Sequence, residues 1–192
     1  MTDPIERFVQ LLERAKQTDL PEPTAMALAT ASPDGRPSVR MVLLKSVDAS
    51  GFVFYTNLES RKGRDLAANP WAALCFHWQP LEVQVRVEGP VTPVTAEEAD
   101  AYFASRARGS QIGAWASQQS RELSAYDALE KRVAEMQEEY ADRPIARPDY
   151  WSGFRVRPER IEFWSNRPSR LHERDVFVRK KSGGWDLHYL YP

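Results

Sequence analysis

Three groups of side chains in this sequence have the types and spacing to hold an anion. "SRKG", Ser60 to Gly63, puts Arg61 and Lys62 in the first turn of a helix. Cations there oppose the helix dipole unless an anion sits on the free N–H groups. A solvated basic turn is the competing reading. Further on, Tyr102, Arg106 and Ser110 are spaced four apart. If one helix runs that far, a phenol, a guanidinium and a hydroxyl share a face, a donor set suited to phosphate. The competing reading is an exposed polar face with an arginine lying along it. Third, "RLHER" read as a strand sends Arg170, His172 and Arg174 to one face, and Leu171 and Glu173 to the other. Three such groups repel unless something negative sits among them, although a surface strand tolerates the pattern. "RMVLLK" adds Arg40 and Lys45, which at strand spacing bracket an apolar run and face opposite ways. Separate cationic spots, each with an aromatic or apolar neighbour, suit a small phosphorylated aromatic ligand better than a nucleic-acid backbone.

The formal net charge of −1 agrees, because a general polyanion binder is strongly basic. A length of 192 residues fits one domain able to bury a core without staples. The single cysteine, Cys75, lies in an apolar run and excludes an intrachain disulfide; a buried, inert thiol is expected. His77 in "CFHW" reads as a packed core or interface residue, and His188 has no partner of metal-binding type, so no metal site is expected. No GxSxG supports a hydrolase, and no P-loop or GxGxxG supports either nucleotide-binding fold. The opening "MTDPIERFVQLL" lacks a secretory pattern, and no apolar run reaches membrane-spanning length. A cytoplasmic protein with no membrane partner is expected.

These groups must be positioned by many short strands. "DPIERFVQLLERAK" predicts a helix capped by Asp3, with Pro4 in its first turn. "AMALATAS", "SVRMVLLKSV" and "FVFYT" predict a three-stranded antiparallel meander joined by "PDGRP" and "DASG". "NLESRKGRDLAANP" predicts a short helix capped by Ser60. "WAALCFHW" and "LEVQVRVEGPV" predict two more strands. In the second, Val83, Val85 and Val87 oppose Gln84, Arg86 and Glu88. A helix with a Thr95–Glu98 capping box follows, then another with Ser124 and Asp127 in the same roles. "GFRVRP", "RIEFW", "RLHERDVFVR" and "WDLHYLYP" close the chain as strands. Such a chain, mainly β with flanking helices, suggests an antiparallel barrel.

Taken in order and spacing, "RMVLLK", "FYTNLESRKG", "YFASRARGSQIGAWAS", "GFRV", "RIEFW" and "RLHER" resemble the pyridoxamine 5′-phosphate oxidase family. The resemblance implies one FMN-binding split β-barrel domain over residues 1–192, with a dimerisation and active-site segment from about residue 150 to 192. It implies a homodimer with FMN at the subunit interface. The implied reaction is oxidation of pyridoxamine or pyridoxine 5′-phosphate to pyridoxal 5′-phosphate by oxygen. Hydrogen peroxide is released, with ammonia from the amine.

By the same resemblance, Arg40, Met41, Val42, Leu43, Leu44, Lys45, Tyr55, Thr56, Arg61, Lys62, Gln84, Gln119, Ser120, Trp164 and Arg174 contact FMN. Lys45, Tyr102, Arg106, Ser110, Arg170 and His172 contact substrate, and Arg170 with His172 act in catalysis. Some of these contacts come from the second subunit. The chain departs from the family in a short segment before its first helix, in Val83 where arginine is frequent, and in Ser152 where glycine is frequent. The alternative function is another split-barrel flavoprotein, either a flavin reductase or a non-catalytic FMN binder.

Overall fold

The computed structural model describes residues 3–141 and 143–192. Helix α1, Pro4–Lys16, opens the fold; the Asp3 carboxylate accepts from the backbone N–H of Ile5. Its Phe8 is fully buried and meets Phe52, Phe76 and Trp78 at ring separations of 4.8, 4.9 and 5.5 Å. The helix thereby closes the concave side of a curled antiparallel sheet.

That sheet holds ten strands: β1 Ala25–Ala31, β2 Pro37–Leu43, β3 Ser46–Asp48, β4 Gly51–Asn57, β5 Trp71–Trp78, β6 Val83–Pro93, β7 Trp151–Val156, β8 Arg160–Ser165, β9 Glu173–Arg179 and β10 Trp185–Tyr189. The main order is β10-β9-β8-β6-β5-β1-β2. The long β6 leaves β5 and β8 near Gly89 and continues beside β7, which pairs β4, which pairs β3. The switch requires glycine: a Cβ on Gly89 would lie 2.0 Å from the Arg157 carbonyl oxygen. The expected mainly-β barrel with flanking helices is therefore present. β6 alternates as predicted, with Val85 and Val87 fully buried.

The helices sit at one end. α2, Arg61–Ala68, follows β4, and Ser60 caps it by accepting from the Gly63 N–H. α3, Ala96–Ser105, starts with the predicted Thr95–Glu98 capping box. α4, Arg108–Ala116, and α5, Tyr126–Tyr140, pack on each other. A second core of Phe103, Ile112, Ile145 and Trp151 lies beneath them.

Five expectations are corrected. "SVRMVLLKSV" is two strands, because the Leu44 N–H bonds to Thr24 while the Lys45 N–H bonds to Val53, moving the chain from one partner strand to another. α3 ends before Arg106, whose backbone is extended, so Tyr102, Arg106 and Ser110 do not share one helix. "RLHER" is not all strand: Pro168–Arg170 form a 3-10 turn and β9 begins at Glu173. α5 is preceded by Ala125, with no side-chain cap from Ser124. Cys75 is only half-buried instead of buried; His77, exposed on its strand within one chain, keeps only its interface reading.

Candidate functional site

A cleft of about 660 Å³ opens between β2, β4, α2 and the α3–α4 corner. Two cationic anchors line it. The first is built by β2 and the start of α2. Lys62 is buried, and its Nζ donates to Gln119 Oε1 at 2.7 Å, Thr56 Oγ1 at 3.2 Å and Ser60 Oγ at 3.3 Å. All three acceptors are neutral, and among the described residues no carboxylate oxygen lies within 4 Å of Nζ. Burial, reinforced by the nearby Arg40 guanidinium, pulls the Lys62 ammonium down to about 8. Gly63 allows this packing, since a Cβ there would lie 2.1 Å from the Leu58 carbonyl oxygen.

Arg40 projects from β2 into the same corner. Its Nη1 donates to Thr30 Oγ1 at 2.8 Å and the Leu28 carbonyl at 3.1 Å, and its Nη2 donates to Ser38 Oγ at 2.8 Å. Asp65 lies 3.9 Å away and holds Thr30 at 2.7 Å. Burial lowers the Arg40 pKa, Asp65 opposes that shift, and exposed Arg61 adds to it. The guanidinium is thus oriented but weakly neutralised.

The second anchor is Arg106, at the break between α3 and α4. Its guanidinium lies 4.7 Å from the Trp151 ring centre, and its buried Nη1 has no hydrogen-bond partner among the described residues. Burial lowers its pKa, partly opposed by Tyr102. A buried N–H left unpaired costs stability, so this atom asks for an acceptor. Tyr102 and Ser110 line the cleft beside it, and α4 begins with no side-chain cap on its free N–H groups. Tyr102, Arg106 and Ser110 therefore line one cleft although the predicted single helix does not exist. Rings form the wall between anchors: Tyr55 stacks on Tyr102 at 4.0 Å and on Trp151 at 5.4 Å, and the Lys45 ammonium lies 6.0 Å from the Tyr102 ring centre.

The kink at Leu44 brings Arg40 and Lys45 to the same cleft, correcting the expectation that they face opposite ways. Met41, Val42, Leu43, Tyr55, Thr56, Lys62 and Gln119 also line it. Leu44 instead enters the core, Arg61 is exposed outside the lining, and Ser120 is exposed beside Gln119. The sequence reading missed Asn57, Ala107, Gly113, Ala114, Ser117 and Trp151, which also line the cleft. The aromatic run "DYWSGF" was the available signal for Trp151.

Gln84, Trp164, Arg170, His172 and Arg174 form a second group away from this cleft. Gln84, Trp164 and Arg174 stand opposite one another across β6, β8 and β9. Trp164 packs against the His172 ring at 4.5 Å, and His172 Nδ1 accepts from the Arg167 N–H at 3.3 Å. That bond leaves the proton of the neutral ring on Nε2. Arg167, without a role in the sequence reading, also pairs with Glu173 at 2.7 Å across the loop carrying Arg170 and His172. Ser169 and Arg170 take left-handed backbone angles, with φ of 58° and 61°. Two such non-glycine residues in succession store strain of the kind found at functional loops.

FMN fits the first anchor on these observations. Lys62 is a buried cation bonded only to neutral acceptors, and the Arg40 guanidinium beside it has its Asp65 partner no nearer than 3.9 Å. A phosphate group there would neutralise the charge of both. The orphaned Arg106 Nη1 provides an independent place for a second phosphate.

Comparison with known proteins agrees with this geometry. Residues 12–140 match the pyridoxamine 5′-phosphate oxidase family, and residues 151–192 match the pyridoxine 5′-phosphate oxidase C-terminal dimerisation region. The chain is 62% identical over 190 residues to a pyridoxine/pyridoxamine 5′-phosphate oxidase of Myxococcus xanthus, covering 99% of this chain and 92% of that protein. It is 58% identical to the Gluconobacter oxydans enzyme of the same name, covering 99% and 94%. Among solved structures, PhzG from Burkholderia lata 383, in complex with tetrahydrophenazine-1-carboxylic acid, superposes with a TM-score of 0.94 at 33% identity, covering 100% of this chain and 94% of that one. A pyridoxamine 5′-phosphate oxidase-related, FMN-binding protein of Nostoc punctiforme shares the fold, with a TM-score of 0.79 at 16% identity over the full length of both chains. No helix among the described residues is long and apolar enough to cross a membrane. With both of its segments matched and relatives near 60% identity over almost its full length, the chain belongs to the pyridoxamine 5′-phosphate oxidase family.

Proposed function

We infer that this protein oxidises pyridoxamine 5′-phosphate and pyridoxine 5′-phosphate to pyridoxal 5′-phosphate. Oxygen takes up the two electrons and two protons and leaves as hydrogen peroxide. The amine also consumes one water and releases ammonia. The observation that carries this reading is the pair of separate phosphate anchors in one cleft, Lys62 with Arg40 and Arg106 with its unpaired Nη1. One suits the cofactor and the other a phosphorylated substrate. A flavin reductase or a non-catalytic FMN binder needs only the first.

Bound FMN supplies the two-electron redox chemistry. Arg40, Lys62, Thr56 and Gln119 hold its phosphate end, while Met41 to Leu43 of β2 lie along the cleft beside it. Arg106, Tyr102 and Ser110 hold the substrate phosphate. Fixing both partners in one cleft converts an encounter into a positioned reaction. Lys45, just after β2, lines the same cleft beside the Tyr102 ring and would contact both.

Arg170, His172, Trp164, Arg174 and Gln84 complete the site from the other subunit of a homodimer. Their absence from the lining of their own chain's cleft supports this, as does the match of residues 151–192 to a dimerisation region. Arg170 would contact the substrate as a cation and position its ring against the cofactor. His172, with its proton on Nε2, donates a hydrogen bond from that nitrogen.

Turnover is the test. Purified protein with FMN should convert pyridoxamine 5′-phosphate to pyridoxal 5′-phosphate with equimolar peroxide. Firm FMN binding with no aldehyde formed would overturn the oxidase reading in favour of a flavin reductase or binder.

A further inference from the structure

Strand β8 carries a carboxylate that the cleft chemistry does not use. Glu162 is 2% exposed, the most buried charged side chain among the described residues. An ion buried so deeply is tolerated only when well paired. Glu162 Oε2 receives Arg86 Nη1 at 3.3 Å and Arg160 Nη2 at 3.2 Å, and these two arginines also flank Glu88, at 2.9 and 3.9 Å. Oε1 serves Arg174 alone: Nε and Nη2 each lie 2.8 Å away. Arg174 Nη1 donates to the Tyr191 carbonyl at 3.1 Å. The guanidinium is thereby held by hydrogen bonds from Nε and Nη1 and by the ion-pair contact of Nη2, and N–H groups on both terminal nitrogens stay available.

We propose that Glu162 is a positioning residue for the cofactor: it fixes the Arg174 guanidinium so that its remaining N–H groups meet the flavin in a set orientation. Arg86 and Arg160 hold the other carboxylate oxygen and keep Glu162 itself from turning. This rests on the reading that Arg174 contacts FMN. A flexible arginine loses freedom when it binds, and one already held loses less. The alternative role for Glu162 is simple neutralisation, and it has the opposite sign. A carboxylate that only cancels positive charge would weaken binding of an anionic cofactor, so its removal would tighten it.

FMN dissociation constants measured on the apo-protein by flavin fluorescence quenching separate the two. Glu162→Gln and Arg174→Gln should each weaken FMN binding about tenfold, the loss of one charge-assisted contact. The E162Q/R174Q double variant should bind no more weakly than R174Q alone. Combined with Arg40→Gln, which acts at the phosphate end, E162Q should multiply instead. Glu162→Asp keeps the charge but sets it back by one methylene, and should fall between wild type and E162Q. If circular dichroism shows that E162Q does not fold, E162D carries the same cycle with R174Q. Unchanged or tighter FMN binding in the Glu162 variant, or losses that multiply with R174Q, would overturn the proposal. Unchanged affinity in R174Q alone would remove Arg174 from the cofactor site and the proposal with it.

Discussion

Lys62 and Arg106 carry positive charge into largely buried positions where, among the described residues, no carboxylate pairs with it. The two make different predictions. Lys62 loses its proton near pH 8 in the folded protein, against about 10.4 in an unfolded chain. The unfolded state therefore binds more protons between those values, and this group makes apo-protein stability rise with pH across that window. Cofactor binding runs the other way. The FMN phosphate is dianionic above about pH 6, and it needs Lys62 charged. FMN affinity should be greatest between about pH 6 and 8 and fall above it. Fluorescence titration across pH reads this directly, and a flat profile from pH 7 to 10 would exclude Lys62 from the phosphate site.

Arg106 should govern substrate alone. Arg106→Leu removes at least one charge-assisted contact, so KM for pyridoxamine 5′-phosphate should rise on the order of 100-fold with FMN affinity unchanged. Loss of FMN in that variant would reassign the anchor.

Helices and strands set how precisely these charges are placed. Ser60 is both the cap of α2 and an acceptor for Lys62. Ser60→Ala should cost about 1 kcal/mol in urea unfolding, the usual loss for an N-cap, and should also weaken FMN binding. Phe8 lies under three aromatic rings at the centre of the sheet, so Phe8→Ala should cost about 3–5 kcal/mol by the same measurement. A smaller loss would mean that α1 is not the plug it looks to be in this packing.

The strands around that core were legible because their alternation is strict, as Val85 and Val87 show. Ser60 and Thr95 announced their helices by side-chain chemistry, and both caps are present. The breaks were hidden. Nothing in the apolar run "MVLLK" marks the point where Leu44 and Lys45 change partner strands, since that is decided by Thr24 and Val53 far away in sequence. α4 contains Gly109 and Gly113 and lacks a side-chain cap, so local propensity does not declare it. "RLHER" alternates like a strand, but Pro168 and the left-handed Ser169 and Arg170 turn the chain. The residues that line the cleft could be named despite these breaks because the family pattern names residues, while spacing names only faces.

For the assembled protein, the division into two groups matters more than any one contact. Arg40, Lys62, Tyr102, Arg106 and Ser110 line one cleft, whereas Gln84, Trp164, His172 and Arg174 gather elsewhere on the same chain. On the proposed reading, a two-fold dimer brings one group against the other, each chain lending what its partner lacks. Complementation tests this. At pyridoxamine 5′-phosphate near the wild-type KM, far below the raised KM of Arg106→Leu, neither Arg106→Leu nor Arg170→Leu homodimers should form pyridoxal 5′-phosphate at an appreciable rate. Unfolded together and refolded as a mixture, about half of the dimers should be mixed, each with one intact site built from the unmutated groups. The account predicts recovery of roughly one quarter of wild-type activity, because mixed dimers regain one site of two. If each chain built its own complete site, no dimer in the mixture would contain an intact one, and activity at the level of the separate variants would contradict the account.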